Sequence, residues 1–130
     1  LAKIHLKLNQ FKVANGFAKK NLALTTELKN ENGILNAQII IAQLIFEYNV
    51  DSAAIEAEAI EANLQKSASI ESKNEIYELL YKCYKYQNKL NLSLKMLELH
   101  TAYQDSIQIK KILAIFQNKS FIKKLFKMNF

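Results

Sequence analysis

The chain has no Pro, no Trp and no Arg, and only two Gly and one Cys among 130 residues. Each absence removes a class of structure or chemistry. Without Pro, and with Gly only at positions 16 and 33, the turn residues that hairpins and Gly-rich phosphate loops need are missing. An all-β domain or a nucleotide-cradling enzyme is therefore disfavoured. A lone Cys83 excludes an internal disulfide and a Cys cluster for zinc. Without Arg, bidentate recognition of phosphate or guanine is lost, which argues against nucleic acid as a partner. No uninterrupted apolar run approaches the roughly 18 residues of a membrane span; the strongest candidate, 39–46, is eight residues long and contains Gln43.

What is present is half apolar, enough for one domain with a real core. The formal charge is +6, and its distribution says more than its sum. Residues 1–105 hold 12 Lys and all 12 acids, so the whole excess lies in 106–130, on Lys110, Lys111, Lys119, Lys123, Lys124 and Lys127. The neutral body is itself polarised, with six Lys against Glu27 in 1–30 and seven acids against Lys66 and Lys73 in 51–78. The first residue is Leu1, which reads as a fragment or a processed piece; the compartment stays open, with the cytoplasm slightly favoured.

The apolar positions recur at three and four residues. In 35–48 they fall at 35, 37, 41, 44, 45 and 48, and the same spacing returns in 76–86 and 90–103. Asn9, Asn30, Asn32 with Gly33, Asn49, Asn88 and Asn91 lie at the ends of these stretches, where Asn favours caps and turns. Asp51 or Ser52, and Ser69 or Ser72, are candidate N-caps. Seven helices follow, over about 1–8, 10–29, 33–48, 51–66, 70–87, 90–104 and from 106 onward, with short connections that make neighbours antiparallel.

Two ladders of residues repeat along the chain. Phe11, Ala14, Ala18 and Asn21 return as Val50, Ala53, Ala57 and Ile60, then as Leu90, Ser93, Leu97 and His100, at offsets of 39 and 40. Leu1, Ala2 and His5 return as Ile41, Ala42 and Ile45, then as Leu80, Tyr81 and Tyr84, at offsets of 40 and 39. This pattern resembles the tetratricopeptide (TPR) repeat, in its longer-helix form seen in bacterial sensor and regulatory proteins. In that family a small residue lets helix B approach its neighbours. Tyr81 and Ser93 depart from the family's small residues, leaving the register open in the third repeat. Residues 103–107 also resemble the stretch that leads from such repeats toward a kinase or DNA-binding output domain.

The resemblance implies an all-α, right-handed α-solenoid of about three helix hairpins, over about 1–32, 33–69 and 70–107, followed by a basic amphipathic capping or connecting helix over 108–130. It also implies a protein-interaction or signal-sensing scaffold with no cofactor. The A helices of such a stack line a groove. By register its candidates are Lys3, Lys7, Gln43, Phe46, Glu47, Glu78, Lys82, Lys85 and Tyr86, with Phe46 and Tyr86 as anchors for a peptide or helix partner.

Catalytic candidates are thin: His5 and His100 sit at packing positions, and Cys83 lies between Leu80 and Tyr84 with no cation run to activate it. Glu56, Glu58 and Glu61, with Glu75 and Glu78, read as a solvated acidic face, because no metal-binding spacing accompanies them. No enzymatic role is expected. The basic tail, with Lys119, Lys123, Lys124 and Lys127 among apolar residues, is the rival functional element. Its apolar stripe slips at 118–120, which predicts two helices. The first half, to about Phe116, would cap the last repeat, and the Lys-rich end would meet a membrane surface, nucleic acid or the acidic 51–66 helix, within one chain or across a homodimer.

Overall fold

The computed structural model describes the backbone of residues 2–128 and the side-chain surroundings of residues 7–118 and 123–127. Among the described residues there is no strand; the chain forms α1 (Ala2–Glu27), α2 (Glu31–Phe46), α3 (Val50–Ala62), α4 (Ile70–Tyr86), α5 (Leu90–Phe116) and α6 (Lys119–Met128). The fold is all-helical, with six helices where the periodicity predicts seven.

The boundaries have local causes. Asn30, Asn49 and Ser69 are the N-caps of α2, α3 and α4, their side-chain oxygens accepting from the amides of Gly33, Ser52 and Ser72 at 3.0, 3.0 and 3.1 Å. The cap of α3 is thus Asn49 and not Asp51 or Ser52. Ser52 supplies the N–H that Asn49 receives, so the helix starts a residue earlier than expected. It also ends earlier, at Ala62, because Asn63 folds its side-chain amide back onto the Ala59 carbonyl at 2.9 Å. The helices α1 and α4 close in left-handed residues, Lys29 at φ 55° and Asn88 at φ 59°. The following amides, Asn30 and Lys89, each donate back to the carbonyls of Thr25 and Tyr84 at 2.9 Å, the Schellman arrangement.

Two expected breaks do not occur. Helices over 1–8 and 10–29 are one helix, α1, so the first of the three expected hairpins is absent: apart from Leu1, which lies outside the described residues, its two ladder sets fall on the same helix. Asn9 is exposed and Gly16 lies within α1, where intrinsic cost is outweighed by helix continuity and packing on α2. Tyr48 anchors that contact: its ring lies 4.3 Å from the Phe11 ring, and its hydroxyl donates to the Lys7 carbonyl at 3.1 Å. Likewise α5 runs through residues 104–108 without interruption. Ser106 lies within it, its hydroxyl donating back to the Ala102 carbonyl at 3.0 Å. The separate capping helix expected there is therefore the continuation of α5. The predicted break near residues 118–120 is present, between α5 and α6.

Each helix packs on its sequence neighbours, and α2 also packs on α4. The core lies among α2–α5, where Ile39, Ala42, Ala53, Ala54, Ala57, Ile60, Ile76, Leu79, Leu80, Cys83, Tyr84 and Met96 form one buried cluster. Its small residues let backbones come close. Ser93, buried on α5, donates to the Tyr81 carbonyl of α4 at 3.3 Å. Side-chain pairs fix the directions. Glu71 with Lys110, Asn74 with Gln104 and Tyr77 with Tyr103 make α4 and α5 antiparallel. Asn36 with Ser72 and Phe46 with Tyr86 make α2 and α4 parallel.

Candidate functional site

A groove runs between α2 and α4 because these helices are parallel neighbours and neither is covered along that side by α3 or α5. At one end it is a cleft of about 200 Å³ lined by Gln43, Phe46, Glu47, Glu75, Glu78, Leu79 and Lys82. Toward the start of α4 it continues as a shallower cavity of about 360 Å³ between Asn36, Ile40 and Gln43 on one side and Ser69, Glu71, Ser72 and Glu75 on the other. Gln43 and Glu75 line both, so the two are one groove.

The floor and walls follow from helix periodicity. Residues 36, 40 and 43 on α2 with its C-cap Glu47, and 71, 75, 78 and 82 on α4, advance by four, three and four, which keeps each set on one face. Asn36 and Ser72 pin the helices together through a hydrogen bond at 3.1 Å, donated by the Ser72 hydroxyl to the Asn36 side-chain oxygen. That hydroxyl also accepts from Ser69 at 2.9 Å, so the pin is continuous with the cap of α4. At the far end the Phe46 and Tyr86 rings meet edge to face, 5.7 Å apart; Tyr86 is 70% exposed and half-buried Phe46 forms part of the cleft wall.

The groove is predominantly acidic. Glu47, Glu71, Glu75 and Glu78 line it against Lys82, and Lys110 stands at its edge. Lys82 pairs with Glu78 at 3.1 Å and Lys110 with Glu71 at 3.3 Å. The Glu71 carboxyl is held below its ordinary range by its own backbone amide in the first turn of α4 and then by Lys110. Glu75 moves the other way, because partial burial, and then the Glu78 charge, disfavour its ionised form. A cationic group placed between Glu75 and Glu78 would offset the repulsion between their charges.

Of the residues expected in a groove, Gln43, Phe46, Glu47, Glu78 and Lys82 come together, and Tyr86 adjoins them through Phe46. Lys85 is turned aside, its ammonium 5.9 Å from the Tyr81 ring. Lys7 is exposed on α1, which packs on the other side of α2 by way of Tyr48, so it does not line the groove. The Lys3 side chain lies outside the described residues. Sequence reasoning missed Asn36, Ile40, Glu71, Ser72, Glu75 and Leu79. Carrying the same four-and-three stripe back from Gln43 and Glu78 would have found most of them.

The catalytic candidates sit apart from this groove. Cys83 is fully buried, and burial followed by the charge of Glu58 pushes its thiol up to about 11. Buried Tyr84 donates to Glu58 at 3.1 Å, and its own ionisation is pushed well above the ordinary range, first by desolvation and then by that hydrogen bond. His100 is half-buried on α5, with Nδ1 unpartnered, and His5 lies outside the residues whose side chains are described. Among the described residues, no three His, Cys, Asp or Glu side chains are grouped to hold a metal, and no helix is long and apolar enough to cross a membrane. Lys123, Lys124 and Lys127 are exposed on α6, and the Lys119 side chain lies outside the described residues. Comparison of the chain with protein-family models, curated proteins and solved structures finds no match.

Proposed function

We propose that this chain is a non-enzymatic, TPR-like interaction module that binds a peptide or helix of another protein in the α2/α4 groove. The observation that carries the reading is the parallel pairing of α2 and α4. Asn36 meets Ser72 and Phe46 meets Tyr86, 36 and 40 residues apart, as successive A helices of a stack of long TPR-like hairpins would. On this reading α2–α3 and α4–α5 are two such hairpins, and α1 is the B helix of a preceding one. The acidic walls and the Phe46–Tyr86 corner favour a partner segment bearing Lys or Arg beside one large apolar side chain. The module belongs to a larger regulatory protein, in which partner binding shifts α2 against α4 and so reorients α5.

Panning a displayed peptide library against the chain tests this. Selected peptides should carry the basic-plus-apolar pattern and lose about tenfold or more in affinity on Phe46→Ala or Tyr86→Ala. Failure to select any peptide, or selection of peptides indifferent to both substitutions, would count against the groove.

A further inference from the structure

The groove leaves the most strongly segregated part of the chain unused. In α6 the polar residues are Lys119, Ser120, Lys123, Lys124 and Lys127, and the apolar ones Phe121, Ile122, Leu125, Phe126 and Met128. At 3.6 residues per turn these positions sort without exception into two arcs, the apolar one about 160° wide. Among the described residues α6 packs on nothing but α5, and Leu125 and Phe126 are exposed beside Lys123, Lys124 and Lys127.

The end of α5 extends the same character. Glu71 of the first turn of α4 pairs with Lys110, so α5 beyond Lys111 outruns its antiparallel partner. There Ile112, Leu113, Ile115 and Phe116 are each about half exposed. No acid follows Asp105.

We propose that α6, with the overhanging end of α5, is a docking surface for an anionic lipid bilayer, with α6 lying in the plane of the interface. Three features select this occupant. The arc is wider than the seam that one neighbouring helix covers, and it carries Phe and Leu opposite a face whose charge is all Lys. Of the six excess positive charges, Lys110 is paired with Glu71 and Lys111 stands near it, while the four on α6, in a stretch that contains no acid, complement a surface of many anionic headgroups. A nucleic-acid backbone would leave the apolar arc in water, and Arg, the residue suited to bidentate phosphate contact, is absent.

The test is co-sedimentation of the full chain with phosphatidylcholine vesicles, with and without phosphatidylserine, at low and high salt. Three controls run beside it: a double-stranded oligonucleotide, sedimentation velocity of the protein alone, and circular dichroism to show each variant folded. The expected result is binding to the anionic vesicles only, weakened by salt. Lys123→Glu with Lys124→Glu should reduce it about tenfold or more, and Leu125→Ser with Phe126→Ser should abolish it, both with helicity unchanged. No vesicle binding, or equal binding to pure phosphatidylcholine, overturns the proposal. So does oligonucleotide binding in place of vesicle binding, or a self-associated species that Leu125→Ser with Phe126→Ser dissociates, since either assigns the surface to another occupant.

Discussion

Gly33 of α2 lies so close to Thr25 of α1 that a Cβ built on it would stand 2.6 Å from the Thr25 Cγ2. Thr25 cannot easily turn away. It is buried, and its hydroxyl donates to the carbonyls of Asn21 and Leu22 at 2.8 and 3.1 Å. The glycine is therefore a packing requirement of the α1–α2 crossing, even though its φ is not positive. Gly33→Ala should cost about 1 to 3 kcal/mol in urea denaturation, and Thr25→Ser, which removes the offending methyl, should recover part of that loss. Gly16 is the counter-case, with open space around the position of a Cβ. Gly16→Ala should stabilise by about 0.5 to 1 kcal/mol, since it only removes glycine's backbone freedom from a helix interior.

Tyr84 joins α4 to α3 through the hydrogen bond from its hydroxyl to Glu58. Tyr84→Phe keeps the ring in the core and deletes that bond. Glu58 is exposed and can be rehydrated, so the loss should be near 1 kcal/mol. Tyr84→Ala should cost about 3 kcal/mol or more, because it also opens a cavity in the buried cluster to which the ring belongs.

Cys83 and Tyr84 make the fold sensitive to alkali. Both hold their protons more tightly folded than unfolded, Cys83 at about 11 against an ordinary 9.0, and Tyr84 above an ordinary 10.0. Their contribution is complete below about pH 9 and is lost as pH rises through 9 to 11 and beyond, at no more than about 1.4 kcal/mol per pH unit for each group. Denaturation series across this range should show falling stability, with a shallower fall between pH 9 and 10 in Cys83→Ala. At neutral pH the buried thiol should react with a disulfide reagent only as fast as the protein opens. Rapid labelling of native protein would contradict the burial of Cys83.

Much of this was readable from the residues. The three-and-four spacing in 35–48 and 76–86 located α2 and α4 to within two residues, because caps and hydrophobic faces agree there. The recurring small residues also mark packed faces, with Ala18, Ala53, Ala57 and Ser93 buried and Ala14 half-buried. Continuity was not readable. Asn9 and Ser106 have local alternatives to the helix, and what decides against them is distant: Tyr48 against Phe11 and Lys7 for α1, and the Asn74–Gln104 and Tyr77–Tyr103 pairs that hold α5 along α4. The groove was half legible for the same reason. Its stripe on each helix is periodic, but the parallel approach of α2 and α4 that adds Ser72 and Leu79 depends on tertiary packing.

The central claim is that a partner segment binds between α2 and α4. The most direct measurement is a titration of the ¹⁵N-labelled full chain with a selected basic-plus-apolar peptide, followed by amide shift changes. The account predicts changes concentrated at Asn36, Gln43, Phe46, Glu75, Glu78 and Lys82. Changes confined to α6 and the end of α5, with the α2 and α4 resonances unmoved, would contradict it.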